Sequence, residues 1–394
     1  MIDVQLDETL QGVKDMLHWF AESEVRPLAL AADRAHGFPD EFLRKVKEMG
    51  IGMGALSRAD GDPSRKGSRK SNRVAVIAAE ELAWGDPAFL LSIPGPGLGG
   101  PPVQFMGTPE QKERFLGVFT KDAEPRFGAY GLTEPGAGSD VAAIRTTCRK
   151  DGDSWILDGA KCFITNGGRA EWVVIFATTD RTQGRDAHRA FVVEKGTPGF
   201  RVGKIEKKMG LRASETAELI LDSCRVPAEN LLGGEAHYDG KQGFLGAMKT
   251  FDSTRPMIAA MAVGIGRAAI ERATAACKDA GLLQTMRGQL VADSLATAAR
   301  KLEMSRLLVW RAAWMADEGM PNAREASMSK AHAAQVALEA CATAVQAMGA
   351  AGCAGDSLVE KWFRDIKVFD IFEGTGQIQR VVISRRLLGG LKAF

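Results

Sequence analysis

The hydrophobic pattern of this chain changes twice along its length, and these changes limit the fold to three blocks. Over residues 1–125, apolar residues such as Leu10 and Leu17 recur at helical spacing. Over 126–233, short β-rich runs separated by Gly, Asp and Asn turns replace that pattern. Over 234–394, Ala, Leu, Met, Glu, Lys and Arg again recur at helical spacing. We therefore predict an α+β chain with a helical domain, a central β domain and a second helical domain.

Proline and glycine predict where the N-terminal helices begin and end. Two helices are expected between Asp7 and Met49, with the second starting at Phe38-Pro39-Asp40, because proline suits the first turn of a helix. A further helix is expected over 74–91. The Gly and Pro cluster at 92–102 should end it, since we expect no regular element to tolerate that cluster. Another helix is predicted over 109–119.

The overall charge argues against a protein whose main work is to bind nucleic acid. There are 51 Lys and Arg against 49 Asp and Glu, which leaves a net charge of +2. A basic stretch from Ser57 to Arg73 is either a solvated loop or an electrostatic guide for an anionic ligand or partner.

No run of the sequence approaches the roughly 18 apolar residues of a membrane span. The acidic first fifteen residues fit neither a signal nor a transit peptide, which predicts a cytoplasmic protein.

The cysteines and histidines show no metal-binding pattern. Six cysteines form no Cys-x-x-Cys pair, and five histidines are scattered without ligand spacing. We expect free thiols in packed positions and no metal ion.

Two segments of the β block combine glycines with hydroxyl or aromatic side chains. Tyr130 to Asp140 reads YGLTEPGAGSD, in which glycines allow backbone amides to approach an oxygen-rich ligand such as a pyrophosphate or a flavin edge. A plain turn explains it equally well, and it is not a Rossmann fingerprint. Phe163 to Gly168 reads FITNGG, where Phe163 and Thr165 would suit the flat, polar-edged isoalloxazine ring. A strand that ends in a turn also accounts for it.

A third segment, Ile371 to Arg380, places a single carboxylate between an apolar run and a Gly-Thr-Gly turn. Burial in apolar surroundings would raise the pKa of Glu373 and make it a competent base near neutral pH. The alternative is a glutamate that caps a helix.

These three segments, in this order and at this spacing, resemble the acyl-CoA dehydrogenase family of FAD enzymes over nearly the whole chain. Further strings support the resemblance: KMGLR at 208–212, VPAENLLG at 226–233, FDSTRP at 251–256 and WFRDIK at 362–367. The family fold is an N-terminal α-helical domain, a central β-barrel-like domain and a C-terminal four-helix bundle. The resemblance therefore implies the same three blocks that the periodicity predicts.

The resemblance implies α,β-dehydrogenation of an acyl-CoA thioester to the trans-2-enoyl-CoA. In the family a glutamate takes the α-proton while the β-hydrogen leaves as hydride to flavin N5, and Glu373 stands at the position of that base. A flavin ribityl hydroxyl and the backbone N–H of the same glutamate polarise the thioester carbonyl. Some relatives carry the base at the position that is Thr254 here. Because Thr254 has no carboxylate, Glu373 is the matching candidate.

The resemblance also assigns binding residues, one position at a time. FAD contacts are expected in the first two segments, in the turn after the base, and at C-terminal positions that meet the FAD of a neighbouring subunit: Tyr130, Leu132, Thr133, Ser139, Phe163, Ile164, Thr165, Thr375, Gln377, Lys278, Gln289, Gln346, Met348, Gly349 and Ala350. Substrate contacts are expected at Ser139, Asp252, Arg255 and Gly374.

Two departures from the family concern the subunit contact. Where the family has Arg-x-x-Phe-Gly, this chain has Lys278-Asp279-Ala280-Gly281-Leu282, so Lys278 retains the charge but not the bidentate fork that would hold the FAD pyrophosphate. Where Gly-x-Gly-aromatic is usual, the chain reads Ala350 to Cys353. A Trp is also more usual than Phe163.

The resemblance implies a homo-oligomer arranged as a dimer of dimers and an electron-transfer flavoprotein as electron acceptor. Two alternatives are an acyl-carrier-protein dehydrogenase or acyl-CoA oxidase of a biosynthetic pathway, and a supporting subunit of a hetero-oligomeric dehydrogenase. The basic stretch from Ser57 to Arg73 would suit an acidic carrier, whereas Glu373 argues against a non-catalytic subunit. Acyl chain length is not predicted.

Overall fold

The computed structural model describes residues 6–51, 71–239 and 245–389, without the side chains at 71, 245–253 and 287. Most of the basic stretch from Ser57 to Arg73 and the side chain of Asp252 lie outside this description. Within it, the chain forms a helical block, a sheet and a second helical block, which confirms the predicted fold class.

In its described residues, 6–51 and 71–125, the N-terminal block contains seven α-helices. The predicted start at Phe38-Pro39-Asp40 is observed, because Pro39 directly precedes a helix that begins at Asp40. The predicted helix 74–91 is divided at Asp86, whose carboxylate caps the second part by accepting hydrogen bonds from the Ala88 and Phe89 amides. The helices are α1 Glu8–Phe20, α2 Ala29–Ala35, α3 Asp40–Glu48, α4 Ser71–Gly85, α5 Pro87–Ser92, α6 Gly100–Met106 and α7 Pro109–Gly117.

The expectation that the Gly and Pro cluster excludes regular structure is wrong. A short 3-10 turn covers Gly97–Gly99, and α6 begins inside the cluster at Gly100. Pro101 and Pro102 lie in the first turn of α6, where the missing N–H has no intrahelical acceptor in any case. The prolines therefore set the start of a helix rather than prevent one.

The central block is one seven-stranded sheet. Its strand order is β1-β4-β2-β3-β7-β6, and β5 pairs with β4. β1 runs parallel to β4, whereas β3 pairs antiparallel with β2 and with β7. The apolar runs predicted as strands lie in β3, β4 and β5, and their inward side chains, including Trp172, Phe176 and Phe191, are fully buried. The strands are β1 Phe127–Gly131, β2 Thr147–Asp151, β3 Ser154–Thr165, β4 Ala170–Thr178, β5 His188–Glu194, β6 Phe200–Ile205 and β7 Thr216–Pro227.

The C-terminal block is dominated by three long helices rich in alanine. Small side chains let α8 and α10 pack closely, so that residues such as Ala262, Ala337 and Ala340 are completely buried. The helices are α8 Leu245–Asp279, α9 Met286–Asp317, α10 Ala323–Met348, α11 Ala350–Cys353, α12 Leu358–Ile366 and α13 Gly376–Leu387.

All six cysteines are free thiols, five of them buried and Cys353 exposed. In the described ranges, no helix combines the length and hydropathy needed to cross a membrane. Those same ranges contain no group of three or more His, Cys, Asp and Glu side chains placed to hold a metal ion.

A fully buried ion cluster joins the three blocks. The Lys361 ammonium on α12 lies 2.5 Å from an oxygen of Asp86 and 2.6 Å from one of Asp365, and all three side chains have zero exposure. Asp86 caps α5 in the N-terminal block, and Asp365 also accepts a hydrogen bond of 2.6 Å from the Leu211 amide of the sheet block. Next to Leu211, any Cβ at Gly210 would overlap the Arg364 carbonyl, so the backbones meet closely here.

We predict that Lys361→Met lowers the stability of the protein by about 3–5 kcal/mol, because it leaves two buried carboxylates without their cation. The measurement is the midpoint of urea unfolding. Lys301→Met is the matched control: Lys301 also pairs with a carboxylate, Glu339, but both side chains are half exposed. A surface pair of this kind contributes about 1 kcal/mol or less. Equal midpoints for the two variants would contradict the role of the cluster.

Candidate active site

Glu373 lies in a tight turn between a 3-10 turn, Lys367–Asp370, and the start of α13. Its backbone is left-handed, with φ of +55°, and Gly374 follows with φ of +88°. A left-handed conformation is strained for a residue with a side chain, so the surroundings must hold it. The Gln379 side chain donates to the carbonyls of Glu373 and Gly374, at 3.2 and 3.0 Å. Lys330 donates to the Gly374 carbonyl at 2.6 Å.

The alternative that Glu373 caps the following helix is not what the structure shows. Thr375 is the N-cap of α13, and its hydroxyl accepts a hydrogen bond from the Ile378 amide at 3.2 Å. At Gly376 a Cβ would overlap the Asp370 carboxylate, so a larger residue here would displace the Asp370 side chain. The Glu373 carboxylate is therefore left available for another role.

The Glu373 carboxylate points toward α8 and α10. The Thr254 hydroxyl donates a hydrogen bond of 2.9 Å to one carboxylate oxygen. Burial raises the pKa of Glu373, while the Thr254 hydrogen bond and the charges of Arg255 and Lys330 lower it in part. Arg255 is itself buried. The net result is a carboxyl group whose pKa lies above its usual range.

The first glycine-rich segment begins on β1, next to this turn. Burial, and then the nearby charge of Glu373, raise the pKa of the Tyr130 hydroxyl, so Tyr130 lies within electrostatic reach of the Glu373 carboxylate. Leu132 is buried and Thr133 is half-buried, whereas Ser139 is exposed. The glycines of this segment at 136 and 138 face open space. The segment therefore runs from a buried start to an open, glycine-rich end.

The second segment presents an aromatic ring at the surface. The register of β3 against β7 shifts between Lys161 and Ile164, and Phe163 within this irregularity has φ of +58°. Bulges of this kind redirect a side chain, and here the Phe163 ring is 64% exposed. Ile164 is buried and Thr165 is half-buried. A strained backbone that displays an aromatic ring is a feature of a binding site rather than of a core.

A buried ion pair ties these two segments together, and the sequence analysis did not identify it. Lys161 on β3, fully buried, donates to Glu134 at 2.7 Å and to the Leu132 carbonyl at 3.2 Å. The neighbouring Cys162 amide donates to the Thr133 carbonyl at 3.0 Å. Burial lowers the pKa of Lys161 to about 8. A lysine between two apolar runs of β3 was the sequence signal for a buried partner, but it does not tell which residue that partner is.

Thr375 and Gln377 lie at the start of α13, beside Glu373, whereas six other predicted FAD residues form a separate group at one end of the helical block. Lys278 lies at the end of α8 and Gln289 at the start of α9, and both are exposed. Gln346, Met348, Gly349 and Ala350 lie at the junction of α10 and α11. The Cys277 thiol donates to the Ala347 carbonyl at 3.6 Å, which joins the ends of α8 and α10.

This group lies far from Glu373 in the same chain. Lys330, which contacts the turn of Glu373, and Gln346 are sixteen residues apart on α10. At 1.5 Å per residue they are separated by about 24 Å along the helix axis. The structure thus brings the first segment next to Glu373 at Tyr130, joins the second segment to the first through Lys161, and keeps the C-terminal group apart from Glu373.

Family comparisons assign the chain to a class of enzymes. It matches three acyl-CoA dehydrogenase family models: the N-terminal domain over residues 7–122, the middle domain over 129–224 and the C-terminal domain over 241–388. The chain belongs to the acyl-CoA dehydrogenase family, which confirms the resemblance. It is an oxidoreductase that dehydrogenates acyl-CoA, and the two alternatives raised from the sequence are not favoured.

Three similar proteins illustrate the relationship. The short-chain specific acyl-CoA dehydrogenase of Clostridium acetobutylicum is 38% identical over 392 residues, covering 98% of this chain and 100% of the relative. Butyryl-CoA dehydrogenase from Megasphaera elsdenii aligns with a TM-score of 0.86 at 34% identity, over 98% of this chain and 100% of that one. A chain from a study of the electron transferring flavoprotein of Acidaminococcus fermentans also aligns with a TM-score of 0.86, at 37% identity and the same coverage.

We predict that Lys161→Met loosens the connection between the two glycine-rich segments, because the Leu132 carbonyl loses its donor and Glu134 loses its cation. Hydrogen exchange should accelerate at the amides of Arg145 and Thr146, which donate to Glu134, and at Cys162. Lys204→Met on β6 is the control, since Lys204 is exposed and pairs only locally with Glu206. Unchanged exchange at these three amides in Lys161→Met would refute the link.

Proposed function

We propose that Glu373 is the base that removes the α-proton of a short-chain acyl-CoA thioester, with FAD as the oxidant. The observation that carries this proposal is the Glu373 carboxylate itself, held in a strained turn by Thr254, Lys330 and Gln379 and placed beside Tyr130. We propose a short acyl chain because the similar proteins of Clostridium acetobutylicum and Megasphaera elsdenii are named as a short-chain specific acyl-CoA dehydrogenase and a butyryl-CoA dehydrogenase.

The electrostatics of Glu373 suit a base that works near neutral pH. A raised pKa makes a carboxylate a stronger base, while the Thr254 hydrogen bond and two nearby cations retain enough ionised form to accept a proton. Because the active form is the carboxylate, activity should fall as the pH drops through this raised pKa. The α-proton passes to a Glu373 oxygen, and the electron pair of that C–H bond becomes the new double bond to Cβ.

The residues around the site fit FAD. Phe163 offers an exposed flat ring, Thr165 a hydroxyl beside it, and the open glycines of the first segment offer backbone amides without steric obstruction. Tyr130, Leu132, Thr133, Ser139, Ile164, Thr375 and Gln377 complete the proposed contacts in the same chain. When bound, FAD supplies the acceptor for the hydride that leaves Cβ.

The substrate is held by groups around the base. Arg255, buried next to Glu373, is proposed to hold the thioester end, and the Glu373 backbone N–H and Gly374 to meet the thioester carbonyl. Ser139, exposed at the open end of the first segment, is proposed to meet the CoA moiety. Asp252 stays a prediction.

The assembly and partners are proposed from the family and from the position of the C-terminal group. Lys278, Gln289, Gln346, Met348, Gly349 and Ala350 would contact the FAD of a neighbouring subunit in a dimer of dimers, since in their own chain they lie remote from Glu373. Electron-transfer flavoprotein is the proposed acceptor, in fatty acid β-oxidation. The cytoplasmic location and the domain boundaries stay predictions.

We predict that Glu373→Gln reduces the rate of acyl-CoA dehydrogenation by roughly 10²–10⁴-fold, the usual contribution of a general base. The amide keeps the shape of the side chain but cannot accept the proton. The measurement is anaerobic bleaching of the flavin by butyryl-CoA. Glu339→Gln, an exposed position on α10, is the control and should keep full activity. A Glu373→Gln variant with more than half of the wild-type rate would refute the assignment.

We predict that Lys278→Ala weakens FAD binding by roughly 10- to 150-fold, the equivalent of about 1.5–3 kcal/mol for a charge-assisted contact with the pyrophosphate. Titration of the apo-protein with FAD measures this. Lys278→Arg should bind FAD at least as tightly as the wild type, because the guanidinium adds a bidentate fork. Equal affinity of wild type and Lys278→Ala would mean that another group holds the pyrophosphate.

A further inference from the structure

Lys330 on α10 makes a hydrogen bond that neither the sequence nor the family resemblance pointed to. Its ammonium donates to the Gly374 carbonyl at 2.6 Å, directly after the proposed base, and its side chain is fully buried. We propose that Lys330 is a positioning residue that holds the turn of Glu373 in its strained conformation and so aligns the carboxylate with the substrate. This inference rests on the proposed role of Glu373.

Packing alone does not account for a lysine at this position. The neighbouring buried residues on α10 are small, among them Ala326, Ala331 and Ala334, and the helix packs against α8 and α13. Burying an ammonium group costs free energy that a methionine of similar length would not incur. The Lys330 ammonium is therefore explained by its hydrogen bond to the Gly374 carbonyl, in the turn of Glu373.

The turn needs support from outside its own segment. Glu373 with φ of +55° is strained, and the contacts of Gln379 come from α13, which is continuous with the turn. The Lys330 hydrogen bond comes from α10 instead and anchors the turn to the helical core. A shift of about 1 Å in a catalytic group can cost on the order of 10²-fold in rate, so such an anchor matters for activity.

The charge of Lys330 also acts on the base. Among the described residues, the titratable groups that interact with Glu373 are Tyr130 from β1, Arg255 from α8 and Lys330 from α10. Asp370, in the turn before, attracts Lys330 as Glu373 does. Burial lowers the pKa of Lys330 to about 8, so the ammonium is still largely charged at neutral pH. Loss of this cation should raise the pKa of Glu373.

The experiment compares four holoenzymes: wild type, Lys330→Met, Lys330→Arg and Ser329→Ala. Ser329 is the neighbouring buried residue on α10, and its hydroxyl donates to the Ala326 carbonyl of its own helix, so it controls for disturbance of the helix. The measurements are FAD content, thermal midpoint, and the rate of flavin bleaching by butyryl-CoA across the pH range.

For Lys330→Met we expect FAD to remain bound, the maximal bleaching rate to fall by roughly 10- to 100-fold, and the acidic limb of the pH profile to move to higher pH. Lys330→Arg retains the charge and should keep the limb at the wild-type pH. Ser329→Ala should match the wild type both in its maximal bleaching rate and in the pH of the acidic limb. If Lys330→Met does not fold, Lys330→Gln, which also lacks the charge, is judged by the same two readouts.

The inference would be overturned by a folded Lys330→Met or Lys330→Gln variant that has the wild-type bleaching rate and an acidic limb at the wild-type pH. It would also be overturned by an equal loss of rate in Ser329→Ala, or by a loss of rate with an unmoved limb, since either would indicate a structural role only. Failure of the proposed function itself gives a different result, because Glu373→Gln would then remain active whatever the Lys330 variants show.

Discussion

The relative placement of the three blocks depends on one buried cation. The ammonium of Lys361 lies between a carboxylate that caps a helix of the first block and a carboxylate that receives a backbone N–H of the sheet block. Such an arrangement is costly to bury, and it is favourable only when every partner is in place. The three blocks therefore fix one another, and strand β3, which carries Phe163, is held relative to the helices around Glu373.

The same physical device recurs at the two other fully buried lysines among the described residues. Lys161 donates to a backbone carbonyl and a carboxylate where the two glycine-rich segments meet, and Lys330 donates to a carbonyl where the turn of Glu373 meets the helices. In each case a long, flexible side chain joins elements distant in sequence and donates to acceptors that other elements also contact. Buried lysines in this chain mark junctions between elements.

Much of the fold could be predicted from the sequence, because periodicity and turn residues act locally. The strands around Trp172 and Phe191 and the helix start at Asp40 were accessible in this way. Local rules failed at Pro101 and Pro102, where a breaker in the interior of a helix becomes a favourable residue in its first turn. The role of Glu373 could be proposed from its motif, whereas Lys161 and Lys330 could not, because their partners are decided by tertiary packing.

Helix α10 separates Lys330, which contacts the turn of Glu373, from the C-terminal group proposed to bind FAD, and it acts as a rigid spacer of defined length. Each inserted residue would advance the far end by about 1.5 Å and rotate it by about 100° relative to the near end. A single insertion between Lys330 and Gln346 would thus rotate Lys330 relative to the C-terminal group, even if every side chain kept its identity. The number of residues between these two positions is consequently fixed, and residue type is free to change only where the helix is exposed, as at Glu339.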